Sequence, residues 1–504
     1  MSTKHSQYLI GVDIGTTNTK AIAFGLDGAI LAASNITYMP LPAAEAGAHE
    51  LDPHTLFNAV IETVRQVVAQ TQAATLTGIA FSSAMHSLIA VDKAGLPLTN
   101  VITWADLRSN RQADALKATE AGKRIYQRTG TPIHPMSPLC KLIWLRETQP
   151  ELFGSAHKFI GIKEYIFHKL LGKYYIDHSI ASATGLFDIY ELDWNAEALA
   201  VAGVGPDRLS RPVSPLSVLK GIDLSYATQL GIDPATPVIP GGSDGCLAQL
   251  GSGALQPGDV SLTIGTSGAV RMMGNRPQHD PQARIFNYIL AENYYVSGGP
   301  INNGGVLLKW YAEHFLGRTF QDTEDFDWFV QQAAQAPAGA DGLIFLPYVQ
   351  GERAPVWDAA AKGMFFGIQA RHTQAHFMRA IVEGVNFALY QVAQSLEETI
   401  APMQHVYASG GFTKSNQWLQ WLTDLFGRPV TVPTTGDASA TGAAIVGFKA
   451  LGLIGQLQFA GNHVSEATTF LPNESHRPAY LYNYEIYSSL YQRLKDLFHR
   501  PNNQ

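Results

Sequence analysis

The sequence predicts an α/β protein of two related lobes facing a cleft, and three observations carry that expectation. The segment Gly11-Val12-Asp13-Ile14-Gly15-Thr16-Thr17-Asn18-Thr19-Lys20 joins two apolar runs, residues 9–14 and 21–24, through a Gly-Thr-Thr turn. A hairpin of the same type recurs at residues 260–270, with Gly265-Thr266 at its tip. Finally, 504 residues exceed the roughly 250–300 to which a single core grows.

The elements follow in order. After the first hairpin, Leu26-Asp27-Gly28 makes a turn into residues 29–33, residues 53–70 show helical periodicity, and residues 76–81 read as a buried strand. This is a three-strand meander followed by αβ units. Residues 237–240 then lead into Gly241-Gly242-Ser243-Asp244, a small-residue helix and the second hairpin, so the lobes are expected at 1–245 and 246–504. Beyond it, residues 294–299 read as a strand, and Gly304-Gly305 opens an amphipathic helix through Lys309-Trp310. Residues 405–409 form a short strand into Gly410-Gly411, and a helix runs from about 415 to 426. Residues 433–438 read as a loop, and 441–451 as a small-residue helix suited to close packing. No low-complexity tether separates the lobes, which predicts short crossings between them.

Composition excludes several classes. With 46% apolar residues, 15% charged residues and a formal charge of −7, the chain has no global field for nucleic acid or anionic lipid. Cys140 and Cys246 lie far apart, without metal-ligand spacing, which suits free thiols in a reducing compartment. The polar start and the interruption of the first apolar run by Asp13 predict neither signal peptide nor membrane span. A cytoplasmic location follows.

The first hairpin reads as a phosphate clamp: Gly15 lets the backbone approach an anion, amides and the Thr16 and Thr17 hydroxyls point inward, and Asp13 faces a bound metal. The alternative is a plain turn with a surface Asp. It is not a P-loop, since Gly-x-x-x-x-Gly-Lys-Ser/Thr occurs nowhere. Gly410-Gly411 at a strand-to-helix junction suits a flat ring or a phosphate, although such pairs also serve ordinary turns.

These residues resemble the FGGY carbohydrate kinases, relatives of hexokinase, actin and the heat-shock ATPases. Two family stretches carry the likeness. Residues 136–148, Met-Ser-Pro-Leu-Cys-Lys-Leu-Ile-Trp-Leu-Arg-Glu-Thr, depart from the pattern only at Thr148. Gly363-Met364-Phe365-Phe366-Gly367-Ile368, followed by residues 376–383, fits throughout. The segments 82–88, 103–109 and 129–138 are most similar to the gluconokinase branch, while the pair Met85-His86 also resembles xylulokinases.

The resemblance implies two ribonuclease H-like, actin/hexokinase-type lobes flanking a deep catalytic cleft, with ATP and Mg²⁺ as cofactors and often a homodimer. Phosphoryl transfer to an alcohol needs alignment, charge neutralisation and a base. By family position the base is Asp244; by local sequence it is equally a helix cap. Asp13 would hold Mg²⁺ through water. Gly15, Thr16, Thr17, Gly265 and Thr266 would cradle phosphates, and Gly304 and Lys309 would approach phosphates or ribose. Gly410, Gly411 and Ser415 would floor the adenine site. Lys20 either adds positive charge there or is solvated, and Lys309 is otherwise the polar face of its helix.

For the acceptor, a small-molecule sugar or sugar acid, Met85, His86, Trp104 and Asp106 would wall a polyol pocket; core roles are open for the first three and a cap for Asp106. A sugar acid also needs a cation or donors at the far end of the pocket. Arg108 could clamp the carboxylate, with His134 or Ser137 donating single bonds. Arg353, in the loop of residues 351–358, is expected in an ion pair. Gluconate is the leading acceptor and xylulose or another polyol the alternative. A chaperone-like or filament-forming ATPase, or an inactive sugar sensor, are the remaining readings.

Overall fold

The computed structural model describes residues 7–71, 74–321, 323–433, 437–457 and 467–500. The first sheet is built from β1 (Gln7–Ile14), β2 (Asn18–Gly25), β3 (Ile30–Thr37), β4 (Thr75–Ser83) and β5 (Val238–Ser243), in the order β5-β4-β1-β2-β3. The three leading strands are antiparallel, and β4 and β5 add in parallel. The second contains β6 (Asp259–Ile264), β7 (Gly268–Gly274), β8 (Phe286–Ala291), β9 (Tyr294–Ile301), β10 (His405–Ser409), β11 (Val430–Val432) and β12 (Thr468–Phe470). Its order, β8-β9-β7-β6-β10-β11-β12, repeats the first with one strand added at each edge. Both sheets therefore have the ribonuclease H-like order that the resemblance implies.

The duplication extends to single positions. Asp13 lies in register with Ser82, whose hydroxyl donates to Oδ1 at 2.7 Å. At the matching register of the second sheet, Thr263 and Ser409 share a hydroxyl hydrogen bond of 2.7 Å. The carboxylate is present on one side only.

The helices that place the site are α1 (Pro53–Gln70), α2 (Pro138–Thr148), α3 (Ile162–Leu171), α4 (Asp244–Gly251), α5 (Val306–Phe315), α6 (Gln374–Thr399), α7 (Asn416–Phe426), α8 (Ala438–Ala450) and α9 (Arg477–Phe498). Helix α1 spans the predicted residues because Asp52 accepts from the amides of His54 and Thr55, and Pro53 occupies the first turn. Strand β1 is apolar on both faces from Tyr8 to Val12 because both faces are covered. Ile10, Val12 and Ile14 join Val60 and Val64 of α1 in one core, whereas Leu9 joins Ala443 and Ala444 of α8 in another. The second lobe packs around α6, with Leu389 and Val392 against Val270 and Leu262, and α7 and α9 completing the core.

Helix α8 begins at Ala438, three residues before the sequence expectation, and residues 434–436 of the predicted loop at 433–438 lie outside the described residues. Its small residues bring backbones together. A Cβ on Gly442 would stand 2.0 Å from the carbonyl oxygen of Leu247, and one on Gly251 would stand 1.9 Å from that of Ala438. Helices α4 and α8 thus meet with no side chain between them. Gly442→Ala should cost about 1–3 kcal/mol in chemical denaturation, as overpacked cores do; wild-type stability would refute this contact.

Candidate active site

The first hairpin tip is held from behind. The Gly15 amide donates to the Asn18 carbonyl at 2.9 Å, and the Tyr38 hydroxyl donates to the Gly15 carbonyl at 2.7 Å, leaving Thr16 and Thr17 partly or fully exposed. The second tip closes in the same way, with the Gly265 amide donating to the Ser267 carbonyl at 2.8 Å and Gly265 and Thr266 exposed. Backbone bonds from Gly304 to Thr266 and from Gly305 to Gly265 seat the start of α5 on this tip.

Beside it lies a cavity of about 270 Å³ lined by Gly265, Gly305, Phe326, Gly411, Ser415 and Trp418 among others. Gly265, Gly411 and Ser415 of the predicted nucleotide set therefore share one pocket. Gly410 lies behind it in a left-handed conformation (φ 97°), where a Cβ would collide with the Ile264 carbonyl oxygen at 2.3 Å. Ser415 is the N-cap of α7. Phe326 and Asp327 also line the pocket and were not anticipated, although Phe326, Phe329, Val330 and Ala333 recur at helical spacing.

Two predicted nucleotide contacts are corrected. Lys309 is exposed and faces Glu313 at 3.7 Å, one turn along its own helix, so it takes the polar-face role. Lys20 pairs with Asp437 across the lobes at 2.5 Å, so its charge is spent on a carboxylate rather than offered to phosphate or solvent.

Asp13 is half-buried, and one oxygen accepts from Ser82. Burial raises its pKa to about 6, the nearby Asp244 charge adds to the rise, Ser82 opposes it, Asp437 raises it again and Lys20 opposes it. This corner carries more negative charge than its own cation offsets, which is the chemistry of a divalent-ion site. Among the described residues no cluster of three ligand side chains forms, so such an ion would complete its shell with phosphate oxygens and water.

Asp244 begins α4, but Ser243 is the cap, accepting from the Cys246 amide at 3.4 Å. The Asp244 carboxylate is thus released from capping; among the described residues it accepts only the Gly245 amide, at 2.6 Å. Gly241 makes this possible: its φ is 63°, and a Cβ there would lie 2.1 Å from the Phe81 carbonyl oxygen. The strand end is pinned by Lys163, a buried cation paired with Asp177 at 2.7 Å that also donates to the carbonyls of Pro240 and Gly242 at 3.0 and 2.9 Å. Burial raises the Asp244 pKa, while Arg271, the Gly245 amide and Lys163 hold it down.

On the acceptor side, Lys141 organises the walls. Its buried ammonium donates to the carbonyls of His86 and Thr103 at 2.6 and 2.7 Å, fixing the turn with Met85-His86 and the one before Trp104. The His86 ring nitrogen Nδ1 donates to the Ala183 carbonyl at 2.7 Å, leaving Nε2 as an acceptor, and burial pushes the ring's pKa down to about 3. At His134, Nδ1 accepts from the Met136 amide at 3.2 Å, so Nε2 carries the proton; burial keeps this ring neutral as well. Trp104 is partly buried beneath the guanidinium of Arg353, 4.8 Å from the ring centroid. Met85 touches the N-terminus of α4.

Three acceptor-side expectations change. Arg108 is clamped by Asp106, Glu50 and Glu45 at 2.8, 2.5 and 3.2 Å and stacks on Trp144, so its charge is already neutralised. Asp106 is buried, with both oxygens occupied by Arg108 and one also by the His49 amide, so it braces a turn rather than offering an acceptor to hydroxyls. Ser137 is buried as the N-cap of α2. Arg353 forms no ion pair among the described residues; it donates to Asn302 Oδ1 at 2.7 Å and to the Ile301 carbonyl at 3.1 Å.

Sequence reasoning missed Lys141, Lys163 and Arg271. Each is a lone cation inside an apolar run (Leu139-Cys140-Lys141-Leu142, Ile162-Lys163-Glu164-Tyr165-Ile166 and Ala269-Val270-Arg271-Met272), and that interruption was the available signal.

Two duplicated sheets, two exposed Gly-Thr tips and an uncapped carboxylate where the lobes meet define a two-lobed phosphotransferase of the actin–hexokinase type. The N-terminal domain of the FGGY family of carbohydrate kinases matches residues 8–251, and the C-terminal domain matches residues 260–451. The chain belongs to that family and is an ATP-dependent carbohydrate kinase. It is 40% identical to the gluconokinase of Bacillus subtilis over 98% of this chain and 97% of that one. A crystal structure described as gluconate kinase from Lactobacillus acidophilus superposes with a TM-score of 0.91 at 35% identity, over 97% of this chain and 98% of that one. A second from that organism, described as ligand-bound xylulose kinase, matches with the same figures.

Asp244→Asn should lower kcat by about 10²–10⁴-fold, the usual contribution of a positioned base, while ATP binding measured by calorimetry persists. Since burial raises the pKa of Asp244, its active, ionised form is present above that pKa and lost as pH falls through it. On acidification, the kcat/KM profile should therefore begin to fall before pH reaches the ordinary carboxylate range of about 4; a profile that stays flat down to that point would contradict the assignment.

Proposed function

We propose that this protein transfers the γ-phosphoryl group of ATP to the C6 hydroxyl of gluconate, giving 6-phosphogluconate. The observation that carries the reading is the 40% identity to a gluconokinase along nearly the whole of both chains. The geometry supports it: Met85 lies against Gly245, next to Asp244, and Lys141 ties the Met85-His86 turn to the one before Trp104.

Asp244 takes the hydroxyl proton as the oxygen attacks phosphorus and the bond to the ADP oxygen breaks. The exposed amides and hydroxyls of both hairpin tips receive the phosphates, because fixed donors stabilise the transferring group without reorganising. Asp13 would hold Mg²⁺, which when bound would supply positive charge against the phosphate oxygens. His86 accepts and His134 donates to acceptor hydroxyls, each neutral and locked in one tautomer, and the Trp104 face packs on the C–H side of the sugar chain. A cytoplasmic location suits a kinase that draws on ATP.

A second reading, phosphorylation of xylulose, is favoured by the equal match to the structure described as xylulose kinase. The test is ADP release across gluconate, xylulose, ribulose and glycerol, with and without Mg²⁺, and the product identified by phosphorus NMR. Gluconate should exceed the others in kcat/KM by at least about 100-fold, and sugar-free ATP hydrolysis should be far slower. Preferential turnover of xylulose would replace the first reading with the second.

A further inference from the structure

The cations around the cleft divide into those already committed and one that is not. Lys20 is paired with Asp437, Lys163 with Asp177, and Arg108 with three carboxylates. Lys141 is spent on carbonyl oxygens, and Arg353 on Asn302, Ile301 and the Trp104 ring. Arg271 alone in this group makes no hydrogen bond or ion pair among the described residues.

Its setting gives it room. Arg271 sits on β7, just after the second hairpin, with Ser261 and Gly298 as its neighbours in register on the flanking strands. Val270 and Met272 on either side are fully buried, whereas Arg271 is only half-buried. The guanidinium lies over the start of α4: a Cβ built on Gly245 would come 3.0 Å from its Nε and 3.3 Å from Nη2, with the Met85 methyl at 3.1 Å. It is therefore beside the acceptor wall and one residue from Asp244, without touching that carboxylate.

We propose that Arg271 is the receptor for the carboxylate of a sugar-acid substrate, and so the residue that separates aldonates from uncharged polyols. This rests on the gluconate reading and names the group that reads the acid. A half-buried guanidinium with no acceptor among the described residues has donors open toward the cleft, and a carboxylate meets its planar fork with two hydrogen bonds. An extended hexonate spans roughly 6 Å over its five carbon–carbon bonds. In the proposed arrangement its hydroxyl end is set at Asp244 and its acid end at the arginine, which lies against Gly245 on the same wall as Met85. The neutral rings of His86 and His134 recognise hydroxyls but bring no charge to an anion. Arg108, to which the sequence pointed, has no charge left to give.

The test compares gluconate with D-glucitol, which carries a CH₂OH in place of the acid, in wild type, Arg271→Met and Arg271→Lys. Wild type should favour gluconate in kcat/KM by roughly 100-fold or more, as expected for a desolvated charge pair. Arg271→Met should bring that ratio below about tenfold, chiefly through KM for gluconate, and Arg271→Lys should fall between, because an ammonium keeps the charge but loses the fork. Circular dichroism checks that each variant is folded, and if the methionine variant does not fold, the lysine variant decides alone. A ratio that stays at the wild-type value, or an equal loss on both substrates, overturns the proposal while leaving the gluconate reading intact. A wild-type enzyme inactive on gluconate overturns both.

Discussion

The contact of α4 with α8, where glycines let the two backbones meet, is the constraint on which the site depends. Gly251 and Gly442 remove the side chains that would otherwise hold these helices apart, so carbonyl groups of one lie against α-carbons of the other. Asp244 is the first residue of α4 and Asp437 directly precedes α8, and the Ser439 hydroxyl donates to the Asp244 carbonyl at 3.3 Å. A shift at the seam therefore moves the base and the Lys20–Asp437 pair together. Lobe closure and the placement of the base are one mechanical problem, because interiors packed this tightly transmit displacement rather than absorb it.

Around that seam, the chain uses buried lysines where a neutral side chain would pack more simply. Lys163 and Lys141 each gather backbone carbonyls from segments distant in sequence: Pro240 and Gly242 in one case, His86 and Thr103 in the other. Taking an ammonium out of water is costly unless it is fully coordinated, so each lysine enforces a single arrangement of the turns it binds. One fixes the strand end before the base, the other the two turns of the acceptor wall. The neighbouring histidines stay neutral for a related reason: burial and the adjacent cations both oppose a further positive charge.

The two halves also show how a duplicated scaffold acquires unequal chemistry. Asp13–Ser82 and Thr263–Ser409 occupy the same register in related sheets, but only the first offers a carboxylate. An acid in both halves would set two negative charges against one set of phosphates. With a hydroxyl on the second side, the carboxylate stays with the first lobe, and the cavity beside Gly265 lies in the second.

Much of this was legible in the chain itself. The two Gly-Thr hairpins, helix 53–70 and the small-residue helix before residue 451 are written in local periodicity and turn chemistry, which act over a few residues and need no tertiary context. The same locality singles out Asp13, two residues before the Gly15 turn, whereas Asp244 is read by family position, since by local sequence it is also a helix cap. What the sequence did not determine was which charges remain available. Arg108 and Arg271 are equally basic on paper; folding brings Glu45, Glu50 and Asp106 to the first and no acceptor to the second. Likewise, only the fold assigned the cap to Ser243 and freed Asp244. Ion pairing and desolvation depend on groups far apart in the chain, so the tertiary structure alone decided which side chains brace the site and which face its ligands.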